Sequence, residues 1–292
     1  MEAREQRVVL ILADISGYTR FILANQTTAL HGQLVISYLI ETILKEVDIP
    51  LTLHGIEGDA VFLSASHPGD DAAWREVLEQ VRTRLDRFFR VFLDGIVRMA
   101  DSTICTCASC EHIEELRLKI VVHSGRAVFS TIAGIPQISG RDVILAHRLL
   151  KNSVNAHEYL LMTEAAWQDL GVAMEGHFEQ GTEDCEGIGQ VPVRVRLMEE
   201  DRQRALVAMD ALPTTQVVAQ ARRQQVTGGP NLLAVLFQHL RRPRIPVGWP
   251  ARIAFVFLQL LWLPAYSLRT LLAAPRRVME KRRARLEGRI SP

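Results

Sequence analysis

The segment Val8–Phe21, VVLILADISGYTRF, decides the fold that we expect for this chain. A continuous apolar run leads into Asp14, and Gly17 follows three residues later. This pattern is typical of a buried strand that ends in polar, chemically active residues. A carboxylate at such a position is costly unless it is paired, hydrogen-bonded or bound to a cation. Asp14 is therefore a candidate metal ligand, and the alternative is that it caps the next helix.

Beyond this strand, helical and strand periodicities follow one another through the first 200 residues. The patterns predict helices over Gly17–Val47, Ala72–Met99, Gly140–Asn152 and Thr163–Leu170, hairpins over Leu51–Ala65 and Leu116–Ile132, and strands over Tyr159–Met162 and Gln190–Met198. We expect the second hairpin to turn at Ser124–Gly125, and Gln190–Met198 to be an edge or half-exposed strand. Hairpins mixed with helices favour an α+β fold with a largely antiparallel sheet.

The tip of the first predicted hairpin carries a second acid, Asp59. In a sheet with this element order, the end of the first strand and the hairpin tip can lie side by side. Two neighbouring carboxylates repel each other, and a divalent cation between them relieves the repulsion. Asp14 and Asp59 would then suit Mg²⁺ or Mn²⁺ that holds the phosphates of a nucleotide in a two-ion site.

Six motifs in order resemble the class III adenylyl and guanylyl cyclase catalytic domain. They are LADISGYTRF, EGDAVFL, LKIVVHSGRAVF, SGRDVILAHRL, YLLMTEAAW and CEGIGQVPVRVRLM, and they run from about Arg7 to Glu199. The resemblance implies a ferredoxin-like α+β domain with a mostly antiparallel sheet. It also implies a metal-dependent nucleotidyl cyclase, a phosphorus–oxygen lyase that converts a nucleoside triphosphate to a cyclic nucleotide.

The resemblance assigns roles to individual residues. The metal ligands fall on Asp14, Ile15 and Asp59, and the nucleotide contacts on Gly17, Tyr18, Thr19 and Gln137. The transition-state arginine falls on Arg148. Lys151 and Asn152 follow it closely and are further candidate contacts. Lys151 lies three residues after Arg148, so the two basic side chains can share one helix face and meet a polyphosphate, and the alternative is a solvated basic face. In the resembled family the acids and the arginine act across a dimer interface, and this chain has one copy of each motif, which predicts a homodimer.

Two positions depart from the family pattern. The ribose-orienting asparagine falls on Ile144, and the adenine-reading lysine falls near Gly55, where His54 is the nearest polar side chain. Loss of a preorganised polar contact typically costs on the order of 10²–10³ in rate. The alternatives are therefore an active cyclase, a catalytically degenerate nucleotide-binding sensor or scaffold linked to the membrane, and an interaction protein whose acids are structural caps.

Three of the four cysteines, Cys105, Cys107 and Cys110, form a C-x-C-x-x-C cluster, and the fourth is Cys185. The charged start MEAREQR does not resemble a cleavable signal, so we expect a reducing, cytoplasmic location, where disulfides are rare. The cluster could supply three ligands to Zn²⁺, with Cys185 or His112 as the fourth. The alternative is that reduced thiols order a loop.

The charge of the chain is divided between its two parts. Residues 1–200 carry 18 Lys and Arg against 29 Asp and Glu, a net of −11, whereas residues 201–292 carry 16 against 4, a net of +12. We predict a cyclase-like domain over 1–200, a linker or helical segment over 201–230 and a basic, apolar helical tail over 231–292.

The tail contains the apolar segment Ile253–Ala274, which is long enough to span a bilayer but includes Pro264 and Arg269. Because both flanks are basic, we expect peripheral or monotopic attachment at the inner face of the cytoplasmic membrane. The alternative is a helical subdomain that packs on protein. Nucleic acid is not an expected partner, since the basic runs are interleaved with aliphatic residues rather than stacking platforms.

Overall fold

The computed structural model of the protein describes residues 3–23, 29–102 and 112–210. The chain divides into two compact units. The first comprises Met1–Val97 and Cys107–Ala205. The second comprises Arg98–Thr106 and Leu206–Pro292, and of this unit the structure describes the helical residues 98–102 and 206–210.

The described residues form strands and helices in mixed order. The strands are β1 (Arg4–Ser16), β2 (Leu51–Glu57), β3 (Ala60–Ser66), β4 (Arg117–Ile132), β5 (Ile135–Ser139), β6 (Tyr159–Thr163), β7 (Glu179–Cys185) and β8 (Gly189–Leu197). The helices are α1 (Tyr18–Leu23), α2 (Ala29–Leu44), α3 (Asp71–Ser102), α4 (Arg141–Leu149), α5 (Glu164–Leu170) and α6 (Glu199–Asp210).

The described strands form one sheet in the order β2-β3-β1-β4-β6-β8-β7, and β5 pairs with the end of β4. All pairs are antiparallel except β4 with β6. The prediction of an α+β fold with a mostly antiparallel sheet is confirmed. The part of that prediction that concerns C-terminal amphipathic helices lies outside the described residues.

Strand β1 lies at the centre of the core. Its apolar run Val8–Ala13 is almost completely buried, as expected for a strand covered on both faces. On one face, Val8, Leu10 and Leu12 pack against Val143 and Ala146 of α4. Other side chains of α4, Leu145 and Leu149, pack against β4, β6 and β8. This packing fixes helix α4, which carries Arg148, over the middle of the sheet.

The predicted turn at Ser124–Gly125 is wrong. Strand β4 continues through both residues, with Gly125 opposite Val8 of β1, and the chain turns at Ala133 and Gly134, whose φ angles are 51° and 82°. A contact with another element explains why this residue is glycine: a Cβ atom at position 125 would overlap the Asp142 carboxylate. A glycine within a strand often marks such a close approach.

Within Gly17–Val47, which was predicted as one helix, the structure describes α1 and α2. Residues 24–28, between the two, lie outside the described residues. Of the two alternatives for Gln190–Met198, the half-exposed strand is confirmed by the alternating burial along β8. The edge alternative is wrong, because β8 lies between β6 and β7; the edge strand on this side is β7, which was not predicted. Strand β7 escaped prediction because only Glu183 and Cys185 of its residues are buried.

The predictions for the tail beyond residue 210 and for the cysteine cluster lie outside the described residues. Among the helices that the structure does describe, none has both the length and the apolar character required to cross a bilayer.

Candidate functional site

The structure brings Asp14 and Asp59 together. Asp14 lies near the end of β1, opposite Ala60 of β3. Asp59 is the second residue of the two-residue turn that joins β2 to β3. The first residue of this turn, Gly58, has φ +67°, a backbone conformation that favours glycine. Both carboxyl groups line the same cavity, and the negative charge of Asp14 acts on Asp59.

Lys119 supplies a positive charge beside this pair. It lies opposite Asp14 in the β1–β4 register, and its Nζ is 2.8 Å from Asp14 Oδ2. Burial and then the negative charge of Asp14 raise the pKa of Asp59 from 3.8 to about 7, although a backbone hydrogen bond and Lys119 act in the opposite direction. An ionised Asp59 is therefore costly in this half-buried site beside a second carboxylate, and Lys119 offsets only part of that cost.

These residues line a cavity of about 270 Å³. Its lining consists of Asp14, Ile15, Ser16, Gly17, Tyr18, Thr19, Arg20, Asp59, Lys119 and His157. The predicted residues Ile15, Gly17, Tyr18 and Thr19 are thus found beside the two acids. The basic groups Lys119, Arg20 and His157 were missed. Lys119 approaches through strand register and His157 through a loop, which no local motif reveals. Arg20 directly follows Thr19 within LADISGYTRF, so the motif itself could have indicated it.

The donor set can be compared with the needs of a divalent cation. Across the parts of the chain that the structure describes, no group of three or more His, Cys, Asp and Glu side chains is arranged to hold a metal. Two adjacent carboxylates nevertheless fit Mg²⁺ or Mn²⁺, since Mg²⁺ is commonly bound by one or two carboxylates together with substrate phosphates and water. Asp14 and Asp59 are the residues that would hold it, and the number of ions stays a prediction.

Arg148 and Lys151 line a different cavity, of about 320 Å³. The remaining lining residues are Val143, Ile144 and His147. The Ile144 side chain is exposed rather than buried, so it presents an apolar surface where the resembled family has asparagine. Within one chain, the two acids and the two cations therefore lie in separate cavities.

The other predicted nucleotide contacts lie elsewhere. Gln137 is exposed on β5, opposite Ser130. The Asn152 amide nitrogen donates to Leu149 O at 2.8 Å and Tyr159 Oη at 2.7 Å, and its oxygen accepts from Val154 N at 3.1 Å. These bonds anchor the loop that follows α4. Contacts of Gln137 and Asn152 with a nucleotide stay predictions.

The zinc prediction has no support among the described residues. Cys105, Cys107 and Cys110 lie outside them. Cys185 is buried in β7, within a core cluster that includes Leu149 and Val191, and burial raises the pKa of its thiol. His112 Nδ1 instead contacts Glu115 Oε1 at 2.5 Å.

Sequence comparison finds similarity over part of the chain. A family model described as "Protein of unknown function (DUF2652)" matches residues 36–159. The chain is also similar to the uncharacterized protein Rv2561/Rv2562 of Mycobacterium tuberculosis, at 34% identity over 140 residues. That match covers 48% of this chain and 63% of the relative, so it spans less than two thirds of the relative's length.

Structural comparison identifies the fold. The adenylyl cyclase CyaB from P. aeruginosa superposes with a TM-score of 0.51 at 15% identity, over 68% of this chain and 96% of that one. A bacterial light-regulated adenylyl cyclase gives a TM-score of 0.50 at 12% identity, over 66% and 51% of the two chains. The chain therefore has the fold of adenylyl cyclase catalytic domains, and at such identities the likeness extends to the fold alone.

Proposed function

We propose that this protein binds a nucleoside triphosphate together with a divalent cation, across the interface of a homodimer, and converts it to a cyclic nucleotide. The observation that carries the proposal is the grouping of Asp14, Asp59 and Lys119 in one cavity. Two carboxylates that destabilise each other attract a cation, and the neighbouring lysine attracts phosphate. This combination suits a metal-bound polyphosphate better than a neutral ligand.

The two separate cavities support the proposal of a homodimer. Asp14 and Asp59 line one and Arg148 and Lys151 line the other. If two copies pack with these cavities facing each other, each composite site contains the two acids of one copy and the two basic side chains of the other. An isologous interface would form two such sites, because a twofold axis repeats each contact.

The residues would then divide the reaction between them. Asp14 and Asp59 would hold the cation, which when bound would neutralise charge on the phosphates. Lys119 binds phosphate oxygens, and Arg148 of the second copy stabilises the charge that develops on them. The ribose 3′-oxygen forms a bond to the α-phosphorus as the bond to the bridging oxygen breaks. Pyrophosphate leaves and the hydroxyl proton passes to solvent.

A second candidate function is nucleotide binding without turnover, as a sensor or scaffold. Exposed Ile144 favours it, because an isoleucine cannot hydrogen-bond a ribose hydroxyl. An assay for cyclic product distinguishes the two candidates, with Mn²⁺ and each of ATP, GTP, CTP and UTP as substrate. Product with any of them supports the cyclase, whereas Mn²⁺-dependent binding without product supports the sensor.

A mixing experiment tests the shared site. Asp59→Asn and Arg148→Ala variants should each bind Mn²⁺–triphosphate weakly, and a re-equilibrated equal mixture should regain about a quarter of wild-type sites, since half of the dimers are mixed and each has one intact site. Recovery supports a homodimeric site. No recovery, with dimers present by sedimentation, contradicts it.

The tail proposal is separate and rests on sequence. We propose that residues 231–292 attach the protein to the inner face of the cytoplasmic membrane through their basic and apolar side chains. Full-length protein should co-sediment with vesicles containing phosphatidylserine. Replacement of Arg241, Arg242 and Arg244 by glutamate should weaken this binding, and unchanged co-sedimentation in the variant would contradict a role for that basic run.

A further inference from the structure

Arg20, one of the basic residues that line the cavity of Asp14 and Asp59, forms an ion pair in the free protein. Arg20 lies in α1, and its side chain lines the cavity together with Asp14, Asp59 and Lys119. Its Nη2 donates to Glu115 Oε2 at 2.6 Å. The Arg20 side chain is 76% exposed and that of Glu115 is 40% exposed. An exposed ion pair of this kind contributes little to stability, so its partners exchange readily.

Glu115 does not depend on Arg20 as its only partner. Its other oxygen, Oε1, contacts His112 Nδ1 at 2.5 Å. The turn that carries it, Ile113–Glu115, is anchored by buried Ile113 and by a 2.6 Å hydrogen bond from Arg117 Nη1 to Glu114 O. The carboxylate therefore stays in place when the guanidinium moves away.

Lys119 and Arg20 line the same cavity but pair with different acids. Lys119 is held against Asp14, beside the acids that would bind the metal, whereas Arg20 is held by Glu115. A phosphate beside the metal would contact Lys119, so Arg20 is available to a phosphate further along the polyphosphate of the nucleotide. A guanidinium is always charged and binds phosphate oxygens in a bidentate manner, which makes it a strong ligand for a terminal phosphate.

We propose that Arg20 determines specificity for a triphosphate over a diphosphate: it pairs with Glu115 in the free protein and with the terminal phosphate in the complex. This proposal rests on the proposed nucleotide-binding function. It predicts that Glu115 competes with the ligand for the guanidinium, so that the two residues affect affinity in opposite directions.

The test measures Mn²⁺-dependent binding of ATP and ADP, and of GTP and GDP, by calorimetry with full-length protein. In Arg20→Met, the preference for triphosphate should fall about tenfold, the usual effect of losing a charge-assisted hydrogen bond. In Glu115→Gln, triphosphate affinity should rise several-fold while diphosphate affinity changes little. Arg75→Met, an exposed arginine on α3, serves as the matched control and should leave both unchanged.

Two results overturn the proposal and are distinguishable. If wild-type protein binds triphosphate with Mn²⁺ but Arg20→Met keeps the full preference, Arg20 is not the determinant and the proposed function survives. If wild-type protein binds no nucleotide with Mn²⁺, the proposed function and this inference fall together. Because Arg20 is exposed, Arg20→Met should fold normally, and Glu115→Gln tests the competition independently.

Discussion

The ammonium group of Lys119 lies 2.8 Å from the Asp14 carboxylate, on the strand directly beside it. The lysine supplies one positive charge to a pair of acids, and the pKa of Asp59 is still raised to about 7. This imbalance explains why the cavity should attract a divalent cation and why it should depend on pH.

The raised pKa of Asp59 predicts a pH-dependent stability. A carboxyl group with a higher pKa in the folded state holds its proton more tightly there, so the free energy of unfolding decreases as pH rises from about 4 to about 7. In EDTA at pH 8, Asp59→Asn should therefore be more stable than wild type by about 1–2 kcal/mol, a value discounted because the carboxyl is only half-buried. Urea unfolding at pH 5 and pH 8 measures the difference.

The control for this experiment is Asp184→Asn, which removes an exposed carboxylate on β7. It should show no comparable gain at pH 8. An Asp59→Asn variant that is equally destabilised at both pH values would indicate a structural hydrogen bond at this position instead of charge repulsion.

Lys119→Met should separate metal binding from phosphate binding. Without the lysine, the acids lack their resting counter-charge, so Mn²⁺ alone should bind several-fold more tightly and raise the melting temperature more than in wild type. Affinity for Mn²⁺–triphosphate should fall about tenfold, because a charged phosphate contact is lost. Parallel calorimetric titrations check both directions, with exposed Lys45→Met as control. Equal losses of both affinities would contradict the assigned division of roles.

Buried His123 should destabilise the protein at acid pH. Its Nδ1 lies 2.8 Å from Thr163 Oγ1 and its Nε2 3.6 Å from Asp142 Oδ1. Burial lowers the pKa of His123 below 6.5, and Asp142 only partly offsets this effect. The folded state therefore prefers neutral histidine, and stability present above pH 6.5 should be lost as pH falls below it.

His123→Gln checks this directly. Between pH 7.5 and 5.5, wild-type stability should decrease by about 1 kcal/mol more than that of the variant, as measured by urea unfolding. Comparison of the two proteins cancels the opposite contribution of Asp59. Parallel pH profiles would show that His123 does not contribute to the acid sensitivity.

Gly125 should tolerate no side chain. A Cβ atom there would overlap Asp142, whose Oδ2 accepts a 2.7 Å hydrogen bond from Arg126 N. Gly125→Ala should destabilise the protein by about 1–3 kcal/mol, as overpacked sites do. Gly181→Ala is the matched strand control, because its Cβ would make only an ordinary contact with Val193, and it should change stability by less than about 0.5 kcal/mol. Equal effects would contradict the close approach at Gly125.

Much of the fold was predictable because it depends on local patterns. The apolar run before Asp14 predicted the central strand, and Gly58 with Asp59 predicted the hairpin tip. The helix that begins near Thr163 was predicted as well, and the Thr163 side chain caps it by accepting a hydrogen bond from Ala166 N at 3.3 Å. The adjacency of Asp14 and Asp59 followed from the element order, although their chemical role stays a prediction.

The features that escaped prediction depend on tertiary register. Lys119 faces Asp14 only because β1 and β4 pair in one particular alignment. A period-two pattern sets the face of the sheet that a residue occupies, but not which residue of a strand distant in sequence lies opposite it. Ser124–Gly125 has the composition of a turn, but the glycine is required by Asp142 on another element. Glu183 is buried in polar β7 because it accepts hydrogen bonds from Ser153 at 2.8 and 2.9 Å, a contact between distant segments.

The most direct test of the central claim is calorimetric titration of full-length protein with ATP and GTP, with and without Mn²⁺. We expect binding of at least one triphosphate that requires Mn²⁺ and that Asp14→Asn and Asp59→Asn each abolish, while Asp184→Asn retains it. Binding of neither triphosphate by folded wild-type protein, or binding that survives loss of both acids, would contradict the claim that Asp14 and Asp59 hold a metal-bound nucleotide.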